Sequence, residues 1–153
     1  MATDVTDSPE PNEALAPLVG RAPWRVRLGH GSFVTFDFGA RVTSEGHVRG
    51  EWHLWTCVSA WRLDSTVGIV AGSEDGREDM AQALATLEGT VLESAEVVNN
   101  GMDLNLYFPG AVFRVFPVTG REYEHWMLYE PSGWVLVAGP GSSWHRERAD
   151  GGG

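Results

Sequence analysis

Lysine is absent from this chain of 153 residues, and all 11 of its basic residues are arginine. Set against 21 acidic residues they leave a formal net charge of -10, so the molecule repels phosphate backbones at neutral pH, and nucleic acid is the poorest partner class. The missing lysine points to a GC-rich, arginine-favouring genome, although arginine's planar fork also suits fixed ion pairs. Cysteine is nearly absent too. Cys57 alone can form neither an intramolecular disulfide nor a thiolate zinc cage, which agrees with a reducing compartment. No stretch approaches the roughly 20 consecutive apolar residues of a spanning helix. The start, Met1-Ala2-Thr3-Asp4, lacks the basic and apolar regions of a secretory signal, so the expected address is cytoplasmic. The chemistry-bearing motifs HExxH, GxSxG, GxxxxGK[ST] and GxGxxG are missing as well. Gly29-His30-Gly31 and Gly139-Pro140-Gly141 read as turns.

Tryptophan, by contrast, is abundant. Trp24, Trp52, Trp55, Trp61, Trp126, Trp134 and Trp144 must each be buried or bind something. Most are expected in the core, with Trp144 the best candidate for exposure, and a stacking platform for a ring-shaped ligand is the sharper alternative. Residues 1–19 carry Asp4, Asp7, Glu10 and Glu13 with three of the eight prolines and no basic residue, and read as a disordered segment. A single globular domain is expected over 20–145, followed by a flexible glycine-rich tail over 146–153.

Within the domain the pattern is mainly that of strands. Val34, Phe36 and Phe38 fall on one face and Phe33, Thr35 and Asp37 on the other, as in a half-buried strand. The run 51–63, EWHLWTCVSAWRL, sorts Trp52, Leu54, Thr56 and Val58 onto one face and His53, Trp55, Cys57 and Ser59 onto the other. One helix is expected near 76–88, with Ser73 or Asp75 as its cap, Glu78 and Asp79 in its first turn, and Met80, Leu84 and Leu87 at helical spacing before Gly89. A meander over 90–117 turns at Asn100-Gly101 and Pro109-Gly110, and a last hairpin joins 125–130 to 134–138. The expected class is α+β: a mostly antiparallel, twisted sheet or partly open barrel of about nine strands with one helix. An all-β sandwich is the alternative.

Chemistry-bearing residues gather in two places. Glu51-Trp52-His53-Leu54-Trp55 and Glu122-Tyr123-Glu124-His125-Trp126 each set a carboxylate and a histidine beside tryptophan. If two strands brought His53 and His125 together, they could act as an acid-base pair or, with Glu51 or Glu124, as metal ligands. Packing and hydrogen bonding are the plainer roles. Cys57, inside an apolar strand, is expected to be inert. Glu74, Asp75, Glu78 and Asp79, with Glu122, Glu124 and Glu130, form an acidic surface suited to solubility or to docking a basic protein.

The ordered motifs GEWHLWTCVSAWRL, ALATLEG, DLNLYFPGAVFRVFP and EHWMLYEPSGWVLVAGPGSSW resemble an uncharacterised family of small acidic bacterial α+β proteins, and Trp126 to Gly133 is similar to its W-x-L-Y-x-P-x-G hairpin. Such proteins also resemble, loosely, the immunity proteins of bacterial polymorphic toxin systems. That resemblance implies a non-enzymatic, protein-binding module that occludes a basic toxin, with Glu51, His53, Trp55, Glu122, Tyr123, Glu124 and His125 as contact candidates. A small-molecule-binding half-barrel lined by Trp and Phe is the alternative, and a histidine-dependent enzyme stands third. No catalytic residue, cofactor, metal, membrane or nucleic-acid partner is expected, and the oligomeric state is left open.

Overall fold

The computed structural model describes residues 10–98 and 100–149 and consists of two antiparallel sheets sharing one core. Its strands are β1 (Arg25–Leu28), β2 (Val34–Ser44), β3 (His47–Thr56), β4 (Ser59–Ser65), β5 (Gly68–Gly72), β6 (Ser94–Val98), β7 (Asp103–Phe108), β8 (Ala111–Pro117), β9 (Trp126–Tyr129), β10 (Trp134–Ala138) and β11 (Trp144–Arg148). The first sheet has six strands in the order β1-β2-β3-β9-β10-β11, and the second has five in the order β5-β4-β8-β7-β6. Both sheets are open. The architecture is therefore mostly antiparallel β, with eleven strands where the sequence suggests about nine.

Period-two alternation decides which face is buried. Val34, Phe36, Phe38 and Leu54 of the first sheet, and Leu63, Leu104, Leu106, Phe113 and Val115 of the second, are at most 1 % exposed. Phe36 meets Phe113 at 5.1 Å between ring centroids, edge to face, and stacks at 6.4 Å with both Phe38 and Phe108. The space between the sheets is thus filled by aromatic and aliphatic side chains. Two indoles stitch it at the edges: Trp126 Nε1 donates to Met102 O at 3.0 Å, and Trp61 Nε1 donates to Ser32 O at 2.8 Å.

Sequence and structure part company at particular elements. The run 51–63 does not continue as one strand: it breaks at Cys57-Val58, where the chain leaves the first sheet and enters the second. Residues 10–19, placed by composition in a disordered segment, form a short helix α1 (Pro11–Leu15) and a 3-10 turn (Ala16–Leu18) whose Leu15 and Leu18 are completely buried. Residues 1–9 lie outside the described residues. The supposed tail contributes the end of β11, and Trp144 is half-buried against the core rather than exposed. Helix α2 (Arg77–Ala85) occupies the expected place, but Gly76 is its N-cap. Ser73 Oγ accepts instead from Trp61 N of β4 at 3.1 Å, and Asp75 Oδ2 from Gly72 N at 2.7 Å, so Ser73 extends the pairing with β4 and Asp75 closes the turn before the helix. Among the described residues no helix is long and apolar enough to cross a membrane.

Phe36 stands at the centre of the aromatic cluster. Phe36→Ala is expected to cost about 3–5 kcal/mol, as for other buried phenylalanines, read from the urea unfolding midpoint. An unchanged midpoint would contradict the packing described.

Candidate functional site

The long hairpin β2–β3 does not run straight. Gly39 and Ala40 together oppose Glu51, a bulge that shifts the register between Phe38 and Arg41. Gly39 takes a left-handed conformation (φ +80°), and the Glu51 side chain folds over it so closely that a Cβ there would lie 2.5 Å from Glu51 Cγ. Glu51 Oε2 accepts the Ala40 N–H at 2.8 Å, satisfying a donor the bulge would otherwise strand. Across the hairpin, Gly50 packs backbone to backbone, and a Cβ there would meet Phe38 O at 2.5 Å and Phe38 N at 2.6 Å. Only glycine allows this approach.

The bend is tied by Asp37, which is fully buried. Its Oδ1 accepts from Gly50 N at 2.9 Å and from His53 Nδ1 at 2.6 Å, and its Oδ2 accepts from Arg25 Nε at 3.0 Å. Arg25 then reaches on with Nη2 to Val48 O at 2.5 Å, near the hairpin tip. One carboxylate therefore joins β1, β2 and two points of β3. Burial alone would push the Asp37 carboxyl up, but His53, the Gly50 N–H and Arg25 outweigh it and hold the carboxyl below its ordinary range.

This bend builds a cleft of about 680 Å³ on the outer face of the six-stranded sheet, lined by Thr35, His47, Arg49, His53, Trp55 and Tyr129. In a straight strand the eight-residue step from His47 to Trp55 would span about 26 Å. The curled hairpin brings both to one cavity. His53 sits edge-on to the Tyr129 ring (centroids 5.7 Å apart), and the Arg49 guanidinium lies 5.3 Å from the centroid of the same ring. Trp55 is braced edge to face by Phe33 at 6.2 Å. Because an ionised carboxylate only accepts, the Asp37 bond assigns the hydrogen to His53 Nδ1 and leaves Nε2 to the cleft. Among the described residues Nε2 has no hydrogen-bond partner.

A second cavity, about 730 Å³, lies on the outer face of the five-stranded sheet beside Arg62, Asp64 and Arg114. There Arg62 grips Asp64 with two bonds (2.7 and 3.1 Å), and Arg114 Nε adds a third at 2.8 Å. The charges are engaged with one another across the sheet, so this cavity offers less to a ligand than the cleft of His53.

The sequence candidates separate accordingly. His53 and Trp55 line the cleft, whereas Glu51 is engaged inside the bulge. Glu122, Tyr123 and Glu124 are exposed in the loop before β9, away from the cleft lining. His125 is fully buried, with Nε2 placed 2.9 Å from Gly141 O. It precedes Tyr129, the cross-strand partner of His53, by four residues, about 13 Å along the strand. The two histidines do not form one acid-base or metal site, and among the described residues no three His, Cys, Asp or Glu side chains gather around a cation position. Among the described residues the space between the sheets is occupied by the packed core, where the half-barrel reading calls for a ligand cavity.

Sequence reasoning missed Asp37, Arg25, Thr35, His47, Arg49 and Tyr129. Asp37 was placed with Thr35 on the face opposite Phe36; it is on that face, but the returning hairpin covers it. The two glycines, Gly39 and Gly50, were the available signal for a bulge and a close approach. Comparison of the chain with protein-family models, with curated proteins and with solved structures finds no match.

Two outcomes test this geometry. The folded pKa of Asp37 lies below the ordinary value of 3.8. The stability it contributes is therefore present above that value and is lost as pH falls through the folded pKa. Asp37→Asn should lower stability at pH 7 by about 3 kcal/mol, because Arg25 and His53 lose a buried partner, and should flatten the decline of stability below pH 4. Urea unfolding across pH reads both, and an acid limb identical to that of the parent would contradict the role given to Asp37. Burial, reinforced by Glu124, pushes the Cys57 thiol up to about 12. Iodoacetamide at pH 8 should alkylate it more than about a hundredfold more slowly in the native protein than in urea.

Proposed function

We propose that this chain is a binding protein, not an enzyme, that takes a small organic molecule in the cleft of the bent hairpin. The observation that carries the reading is the buried Asp37 carboxylate, which fixes His53 with one ring nitrogen facing a cavity walled by Trp55 and Tyr129. A fully buried charge is costly unless it is completely bonded. Here the bonding holds a cavity open and orients a polar group into it. The volume falls within the usual range for ligand pockets, about 300–1,000 Å³, and the lining combines aromatic walls with a few convergent polar groups. This moves the half-barrel idea from the sheet interior to the outer face.

A fragment screen by NMR tests the reading. Hits should shift the Trp55 indole and the His53 ring, and Trp55→Ala should weaken them about tenfold, the loss expected of an aromatic wall. Hits that map elsewhere, or that ignore the Trp55 substitution, would overturn it.

A specific observation also favours a protein partner. Tyr123 is 58 % exposed with φ +72°, and Val118, in the same loop, is 59 % exposed. Thr119 Oγ1 braces the loop through Glu122 O at 2.5 Å, and exposed Glu122 and Glu124 flank the ring. An exposed aromatic residue between two exposed glutamates in sequence fits a basic protein surface, as an immunity-type neutraliser would require. Tyr123→Ala separates the two readings. It should leave cleft binding intact, and it should abolish capture of a basic protein only if the loop is the docking surface.

A further inference from the structure

We infer that the ligand of this cleft is a planar organic anion, an aromatic carboxylate in its simplest form, whose carboxylate is gripped by His53 and Arg49 while its ring lies along Trp55. The inference rests on the cleft being the binding site and adds the chemical class of what it holds.

The charge of the lining argues for it. A chain with 21 acidic and 11 basic residues lines this cavity with His47, Arg49 and His53 and with no carboxylate. The one carboxylate behind it, Asp37, has no exposed surface and already accepts three hydrogen bonds. An arriving anion therefore meets no opposing carboxylate in the lining. Arg49 is held for this role by the Tyr129 ring at 5.3 Å and by its own Nη1 bond to Gly50 O at 3.3 Å, which leaves further guanidinium N–H groups to the cleft. Trp55, kept upright by Phe33, supplies a flat wall beside these donors.

The protonation of His53 makes the inference specific. With the hydrogen on Nδ1 directed at Asp37, Nε2 is an acceptor in the neutral ring and a donor only in the imidazolium. An anion can bond to Nε2 only when that nitrogen carries a proton, because a bare ring nitrogen and a carboxylate are both acceptors. Around the ring stand Asp37 from β2, Arg25 from β1, Tyr129 from β9 and, on its own strand, His47, Arg49 and Glu51, with Glu51 engaged in the bulge. Glu147 of β11 acts on Tyr129 from beyond. Anion binding should accordingly be coupled to the uptake of one proton.

Calorimetric titration of the full chain with benzoate and with its neutral isostere benzamide tests this, from pH 6 to 8.5 and in two buffers of different ionisation enthalpy. Benzoate is ionised throughout that range. It should bind at least about tenfold more tightly than benzamide, as a charge-assisted bond requires. Its binding should be accompanied by proton uptake and should weaken as pH rises, by up to about tenfold per pH unit for the coupling of one proton. His53→Gln should abolish proton uptake and pH dependence, whereas His145→Gln, at an exposed position of β11 outside the cleft lining, should retain both. Equal affinity for the two ligands with Trp55 still shifting would overturn the anion inference and leave the cleft reading standing. Benzoate binding that bypasses Trp55 and His53 would overturn both. Preference for phenol, a hydrogen-bond donor that suits neutral Nε2, or failure of benzoate to bind at millimolar concentration, would also overturn the inference.

Discussion

Asp37 lies under the bend of the β2–β3 hairpin with no surface in contact with water, and its two oxygens receive Gly50 N–H, His53 Nδ1–H and Arg25 Nε–H. A carboxylate in that position would be strongly disfavoured without partners, and removing one partner of such a set costs more than any exposed ion pair contributes. Each partner here has a second task. Gly50 makes the close crossing of the two strands, Arg25 continues to Val48 O, and His53 turns its remaining nitrogen to the cleft. The curl of the hairpin, the shape of the cavity and the tautomer of the histidine follow from the same four groups.

The surrounding sheets supply rigidity. Arginine is used throughout as a flat, stackable cation: Arg21 over Trp52 at 4.2 Å, Arg41 and Arg25 against Trp24 at 3.9 and 4.9 Å, Arg146 and Arg148 against Trp134 at 5.2 and 5.1 Å. Lysine would lose the stacking and the fork, so these positions give the lysine-free composition a structural use beyond codon bias. Sheet edges are closed by local chemistry as well. The Asn12 side chain accepts from Val97 N at 2.7 Å and donates to Val97 O at 3.5 Å, covering the edge of β6, while Glu88 accepts the Val26 N–H of β1 at 2.9 Å. The N-terminal segment is thus bound by an edge function that composition does not reveal.

Alternation and turn residues made much of the fold legible in the sequence. The burial of Val34, Phe36 and Phe38, the helix around Met80 and Leu84, and the β7–β8 and β9–β10 hairpins all follow from periodicity and from Pro109-Gly110 and Pro131-Ser132-Gly133. The division into two sheets was not legible, because the switch at Cys57-Val58 interrupts neither the alternation nor the aromatic content of the run. Strands β1 and β11 were missed because their arginines and glutamate look solvated, although each pairs with the strand next to it in the chain, β1 with β2 and β11 with β10. At the site, His53 and Trp55 announced themselves by residue type. Asp37 did not: it meets its histidine partner 16 residues away in sequence across a bulged hairpin, and an acidic residue on the outer face of a strand gives no local sign that another strand will fold over it.

The central claim is that Asp37 fixes the His53 ring with its hydrogen on Nδ1 and its Nε2 free for a ligand. The nitrogen-15 shifts of His53 followed by NMR through its titration test that claim most directly. The account predicts that above the titration Nδ1 carries the proton and Nε2 shows the shift of a bare nitrogen, and that this preference disappears in Asp37→Asn. A neutral ring protonated on Nε2, or a tautomer indifferent to the loss of the Asp37 charge, would contradict it.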